Sequence, residues 1–277
     1  MEGLGHATPG TLIILAIVGG ILWWEFRRIK RGYVHPIRRI PGVDAVEGAV
    51  GRCAEQGRPV VFTTALTGVG PVLYACLGML HFVAKRTARY KLPLIIPQNQ
   101  PDVMAVVEDV TRLAYEDAGR AGNFTPENIR YLSDEQFAFA SGYQGLVGRE
   151  KPGATFLFGM FAAEALVLAE AGLQVGARQV AASVSPEQVP FFICTCDYTL
   201  IGEELFGASA YVSREPVQVA TLAAQDRLKL LFLVLIVIGV IVATLNSVGG
   251  ALWSGYPAGG IPTPDKAIVA SWEIFGL

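Results

Sequence analysis

The residues best equipped for chemistry fall in two places. The first is Thr63–Pro71, TTALTGVGP, which follows an apolar run and precedes a helix. The hydroxyls of Thr63, Thr64 and Thr67, the flexible Gly68 and Gly70, and the free N–H groups of the next helix suit a phosphate or carboxylate. The match to a dinucleotide fingerprint is partial: Gly68 and Gly70 supply G-x-G, but Leu73 stands where the third glycine belongs, and there is no Walker lysine. A tight turn that needs glycine is the competing reading. The second place holds Asp197, Glu203 and Glu204. Paired carboxylates can divide acid and base roles or bind a divalent cation through oxygen. They also occur simply as favourable charges at a helix start. Glu164 is a third candidate, a lone carboxylate among small apolar residues.

The rest of the inventory is thin. No histidine is available to these segments: His6 and His35 fall in the flanking parts of the chain, and His81 lies within a mostly apolar helix. Cys194-Thr-Cys196 lacks the second Cys or His pair of a zinc site, so no metal is expected. Cys53, Cys76, Cys194 and Cys196 read as reduced, buried structural thiols. Nucleophile-elbow, kinase and metalloprotease signatures are missing. No catalytic residue can be named, no cofactor is implied, and the balance is against an enzyme.

These segments need a frame to position them. Val43–Glu55 forms an amphipathic helix with Val46, Ala49, Val50 and Cys53 on one face. Strands are expected at Pro59–Thr64, Leu92–Pro97, Ile129–Leu132, Ala154–Phe158 and Gln179–Val184. Helices fall between them at Val72–Arg89, Asp102–Ala118, from a Ser133–Gln136 capping box to Arg149, and at Ala162–Ala171 with Gly172 as its stop. Val189–Cys196 is ambiguous, and Leu200–Ala210 reads as helix. Strand and helix in alternation mean an α/β fold: a parallel, Rossmann-like sheet with helices on both faces. Its ligands would bind beyond the carboxyl ends of the strands. Small residues on the helices (Gly142, Gly145, Gly148 and Gly207–Ala210) allow close packing, within the domain or between subunits.

Two apolar stretches bracket this domain, Thr11–Phe26 and Leu230–Leu245. Each approaches the roughly 20 residues a membrane span requires. Trp23 and Trp24 suit an interfacial belt. Arg27, Arg28, Lys30 and Arg31 follow the first stretch, and Arg227 and Lys229 precede the second. The positive-inside rule then makes the middle cytoplasmic and both termini exterior. Residues 40–226 carry 13 Lys or Arg against 20 Asp or Glu, a formal net of −7. An acidic domain argues against nucleic acid, so the basic run reads as a topology and lipid-headgroup signal. The expected division is an exterior N-terminus (1–10), a span (11–26), a basic connector (27–57), the domain (58–226), a second span (228–246) and an exterior tail (247–277). The tail's Trp253, Tyr256, Trp272, Ile274 and Phe275 are too few for a core of their own and suit a membrane surface or a neighbouring subunit.

Several stretches together resemble a known family: Ser133–Ala140 (SDEQFAFA), Arg149–Pro152 (REKP), Ala163–Gly172 (AEALVLAEAG), Pro190–Phe192, Cys196–Phe206 (CDYTLIGEELF) and Tyr211–Pro216 (YVSREP). It is a prokaryotic family of membrane-anchored proteins classed as a domain of unknown function. The resemblance spans about Arg58 to Leu245. It implies two spans around an α/β domain in a prokaryotic cell membrane, and brings no catalytic residues. The leading expectation is a structural or interaction protein that forms homo-oligomers or docks onto a membrane complex. The alternative is a small-ligand or enzymatic domain using residues 63–71 with the carboxylates near 197–204, in one shared pocket.

Overall fold

The computed structural model describes residues 9–31 and 40–253. Its contacts separate two units: an α/β domain, Pro36–Gln218, and a unit made of Met1–His35 and Val219–Leu277. In chain order the elements are α1 (Pro9–Lys30), α2 (Pro41–Gln56), β1 (Val60–Ala65), α3 (Pro71–Tyr90), β2 (Leu94–Gln98), α4 (Pro101–Asp117), β3 (Ile129–Tyr131), α5 (Gln136–Glu150), β4 (Ala154–Met160), α6 (Ala165–Gln174), β5 (Arg178–Ser183), α7 (Val189–Thr195), β6 (Tyr198–Ile201), α8 (Glu204–Ser213) and α9 (Pro216–Trp253). Part of the basic connector (32–39) and the tail from 254 onward, with Tyr256, Trp272, Ile274 and Phe275, lie outside the described residues.

The six strands pair in parallel in the order β3-β2-β1-β4-β5-β6. This is the strand order of doubly wound dinucleotide-binding sheets, with its reversal between β1 and β4. Both faces are covered, and the strands' period of two sorts their side chains. Val60, Phe62, Leu94, Ile96, Phe156 and Phe158 join α2, α3, α4 and α8 in one core. Val61, Ile95, Leu157 and Ala181 join α5, α6 and α7 in the other. Burial on both faces explains why these strands read as continuous apolar runs.

Four local expectations need correction. Tyr198–Ile201 is a sixth strand, edge-paired to β5, where a helix from Leu200 was expected; its β-branched and aromatic residues are too short a run to announce themselves. Gly172 does not stop α6, which continues to Gln174. A Cβ at Gly172 would come within 2.3 Å of Gln179 Oε1, so the glycine serves close packing of α6 on β5, and the chain turns instead at Gly176 (φ 66°). Ser133 does not cap α5: its hydroxyl accepts from Glu135 N at 3.1 Å, and Gln136 becomes the first helical residue. Finally, α2 is no mere connector. Val46, Ala49, Val50 and Cys53 are fully buried in the first core.

Candidate functional site

The sheet's switch point sets β1 beside β4, and the Thr/Gly turn leaves β1 there. The end of β1 is bent. Its register with β4 shifts between Thr63 and Ala65, and Ala65 takes a left-handed φ of 47°. Thr63 Oγ1 steadies this bend, donating to Pro97 O (2.9 Å) and accepting from Ala65 N (3.0 Å). Thr64 Oγ1 donates to Gln98 Oε1 on β2 at 2.8 Å. Thr67 Oγ1 accepts from Met160 N on β4 at 2.8 Å. All three threonines are buried. Their hydroxyls therefore tie the carboxyl ends of β2, β1 and β4 together, Thr63 and Thr64 by donating and Thr67 by accepting. Gly159 (φ 141°) completes this tie, because a Cβ there would lie 2.1 Å from Thr67 Oγ1 and 2.7 Å from Thr64 O.

Gly68 packs against the Gln100 side chain, whose Oε1 would lie 3.2 Å from an added Cβ. Gly70 caps α3 in an extended conformation, with Pro71 at the first helical position. Val69 between them is exposed.

Two buried polar side chains at this end were not singled out as a pair from sequence. Gln98 is fully buried, and its Nε2 has no hydrogen-bond partner among the described residues. Glu164 is also fully buried, just beyond β4. Its Oε1 accepts from Ala162 N (3.0 Å) and its Oε2 from Gln136 Nε2 (2.5 Å). Glu164 thus binds its own loop and pins the first turn of α5 to the start of α6. The Gln at 136 was legible as a helix-start residue; that it would serve Glu164 was not, because the two meet only through the β3–α5–β4 crossover.

Asp197 lies elsewhere. It precedes β6 and so sits at the amino ends of the strands, the edge opposite the Thr/Gly turn. It pairs with Arg178 at the start of β5 and accepts from Gln179 N at 2.8 Å. An open cleft of about 380 Å³ at this edge is lined by Arg52, Arg178, Cys194, Cys196 and Asp197 among others. The expected pocket shared by 63–71 and Asp197 is ruled out by the parallel strands themselves, which hold the two at opposite edges. Glu203 and Glu204 are exposed at the start of α8, after β6. Glu204 Oε2 accepts from Ile201 N at 3.2 Å, a helix-start role. The described residues contain no group of three or more His, Cys, Asp or Glu able to hold a metal.

The thiols divide by environment. Burial pushes the Cys53 thiol up to about 11 and Cys196 up to about 12, and raises Cys76 further. Cys194 is exposed.

The second unit carries the basic and aromatic residues. Arg27 lies over the Trp23 ring (5.2 Å), Arg28 over Trp24 (5.7 Å) and Lys30 over Phe26 (4.4 Å). Arg227 lies over Trp24 at 4.5 Å and also pairs with Glu25, which is fully buried. Among the described residues one helix is long and apolar enough to cross a membrane. It is the segment Pro216–Thr244 of α9, whose most apolar 18-residue stretch has a mean hydropathy of 2.5 and is not buried.

Residues 6–252 match the model of a single family, described as a domain of unknown function (DUF6754). The chain belongs to this family. The match runs from the approach to α1 almost to the end of α9, so the DUF6754 pattern embraces the flanking helices as well as the α/β domain, a wider range than Arg58–Leu245. No curated protein and no solved structure matches the chain.

Proposed function

We propose that this DUF6754 protein is a membrane-anchored structural or interaction protein, whose α/β domain assembles with like copies or docks onto a larger membrane complex. The observation that carries the reading is the bare apolar segment of α9, continuous with a helix that begins in the α/β domain. An exposed helical stretch of this hydropathy is costly in water and favourable in a bilayer. The cations stacked on Trp23, Trp24 and Phe26 suit the headgroup boundary. Under this reading the domain is cytoplasmic in a prokaryotic cell membrane, both termini are exterior, and α1 is a second span.

Assembly ranks ahead of catalysis because the strongest chemical candidates are used inside the fold. The three threonines brace strand ends, Asp197 joins β5 to β6, and Glu204 bonds back to the end of β6. The small residues fall into two groups. Ala208, Ser209 and Ala210 are buried within the domain, whereas Gly145 and Gly148 of α5 stay exposed and available to a neighbour. Native mass measurement of the full chain in mild detergent tests this. Masses of two or more copies, or of a defined complex, are expected; a partner-free single chain contradicts it.

A second reading is favoured by the unpartnered amide of buried Gln98 beside the switch point, where ligands of such sheets bind. It would make the domain a small-ligand binder, with the turn 63–71 and without Asp197. Nucleotides, phosphosugars and divalent cations should then raise the melting temperature. No shift with any class argues against it.

A further inference from the structure

Glu25 is an oddity in an apolar helix. Its side chain is 0% exposed, and neither oxygen accepts a hydrogen bond among the described residues. A buried carboxylate left without compensation is strongly unfavourable. Here the compensation comes from the other end of the chain: the guanidinium of Arg227 on α9 pairs with Oε1 and stacks over the neighbouring Trp24 ring. Planar guanidinium can serve both partners at once, which a lysine ammonium does poorly.

The positions of the two residues carry a further meaning. Glu25 lies at the end of the first apolar stretch, just before the basic run. Arg227 lies just before the second apolar stretch. If the helices run side by side from this contact, they are antiparallel, and both chain ends leave on the same side. Close to the contact, exposure follows the same line. On α1, Val18, Ile21 and Ile29 share the face of Glu25 at helical spacing and are half-buried, whereas Leu22, Trp23 and Trp24 are exposed. On α9, Leu231, one turn beyond Arg227, is half-buried, while residues from Phe232 to Thr244 are exposed.

We propose that Glu25 and Arg227 form a buried interhelical clasp, with Trp24 as its lid, that pairs α1 with α9 as an antiparallel hairpin at the cytoplasmic membrane boundary. The inference rests on the membrane reading above and adds to it the element that makes α1 a partner of α9. An ionisable pair at this depth is expensive for either helix alone, so it favours the two helices together over either one inserted singly. Beyond the clasp the outer faces of both helices remain free for lipid.

The test uses the full chain in membranes. Cysteines replace Ile21 and Leu231, one turn beyond each clasp residue, and a short bifunctional maleimide joins them; mass spectrometry identifies the 21–231 link. The clasp predicts an efficient link with Glu25 and Arg227 present. Arg227→Glu should lower its yield at least about fivefold, because two buried carboxylates repel. The swapped pair Glu25→Arg with Arg227→Glu should restore it to within about twofold, the signature of direct coupling. Glu25→Gln with Arg227→Gln is a gentler check should the reversal impair folding, and should give an intermediate yield. Absence of the link, a yield indifferent to Arg227→Glu, or a swap no better than the single change would overturn the clasp. Alkaline extraction of the same membranes separates the two ideas. Release of the unaltered protein defeats the membrane reading itself, whereas retention together with a failed swap defeats the clasp alone.

Discussion

Thr67 and Gly159 illustrate how little freedom the end of the sheet has. The Thr67 hydroxyl occupies the space where any side chain at 159 would begin, and Gly159 adopts a φ of 141° that other residues avoid. Gly159→Ala should therefore destabilise the domain by about 2–4 kcal/mol, from backbone strain plus displacement of Thr67. Thermal unfolding in mild detergent would show it; an unchanged midpoint would mean that the tie between β1 and β4 is not rigid. Thiol reactivity offers a second test at this scale. Burial holds Cys53, Cys76 and Cys196 protonated well above neutral pH, while Cys194 is open to solvent. Since the thiolate is the reacting form, maleimide at pH 7.5 should add rapidly to Cys194 alone. Equally fast labelling of Cys196 would contradict the packing of α7 against β6.

Close helix packing belongs to the next scale. A Cβ at Gly78 on α3 would lie 2.2 Å from Ser209 Oγ on α8, so these helices meet through a glycine and a serine. Gly78→Val should force them apart and cost about 1–3 kcal/mol, measured as a lowered unfolding midpoint with the oligomeric state monitored beside it. Loss of assembly without loss of stability would instead place α8 at a subunit interface. The same pair marks what could be read in advance. Small residues at 207–210 signal close approach, but the partner, Gly78, far earlier in the chain, is set by tertiary fold. The long amphipathic and apolar elements α2, α3, α4 and β1 were legible because their periodicity is strong. The four-residue β6 was hidden because its pattern is shorter than one helical window. Chemical type alone groups Asp197 with the Thr/Gly turn; strand direction, which residue types do not encode, separates them. Glu25 reads in the sequence only as a single acid inside an apolar run; its burial and its pairing with Arg227 are set by the tertiary fold.

For the molecule as a whole, the account ties an acidic α/β domain to a bilayer through α9 and, by the clasp, through α1. Holding every copy on one surface in one orientation raises the effective concentration at which copies meet, so modest contact surfaces suffice for assembly. Under the proposed reading, the net charge of −7 over residues 40–226 would keep such a domain from adhering to anionic headgroups, and the stacked cations at 27–30 would face them. Sidedness is the most direct measure of this arrangement, and the exposed Cys194 supplies the reporter. A membrane-impermeant maleimide is applied to sealed vesicles of either orientation. The account predicts labelling of Cys194 in inverted vesicles and protection in right-side-out vesicles until they are lysed. Labelling from the exterior, or recovery of the protein in the soluble fraction, would contradict it.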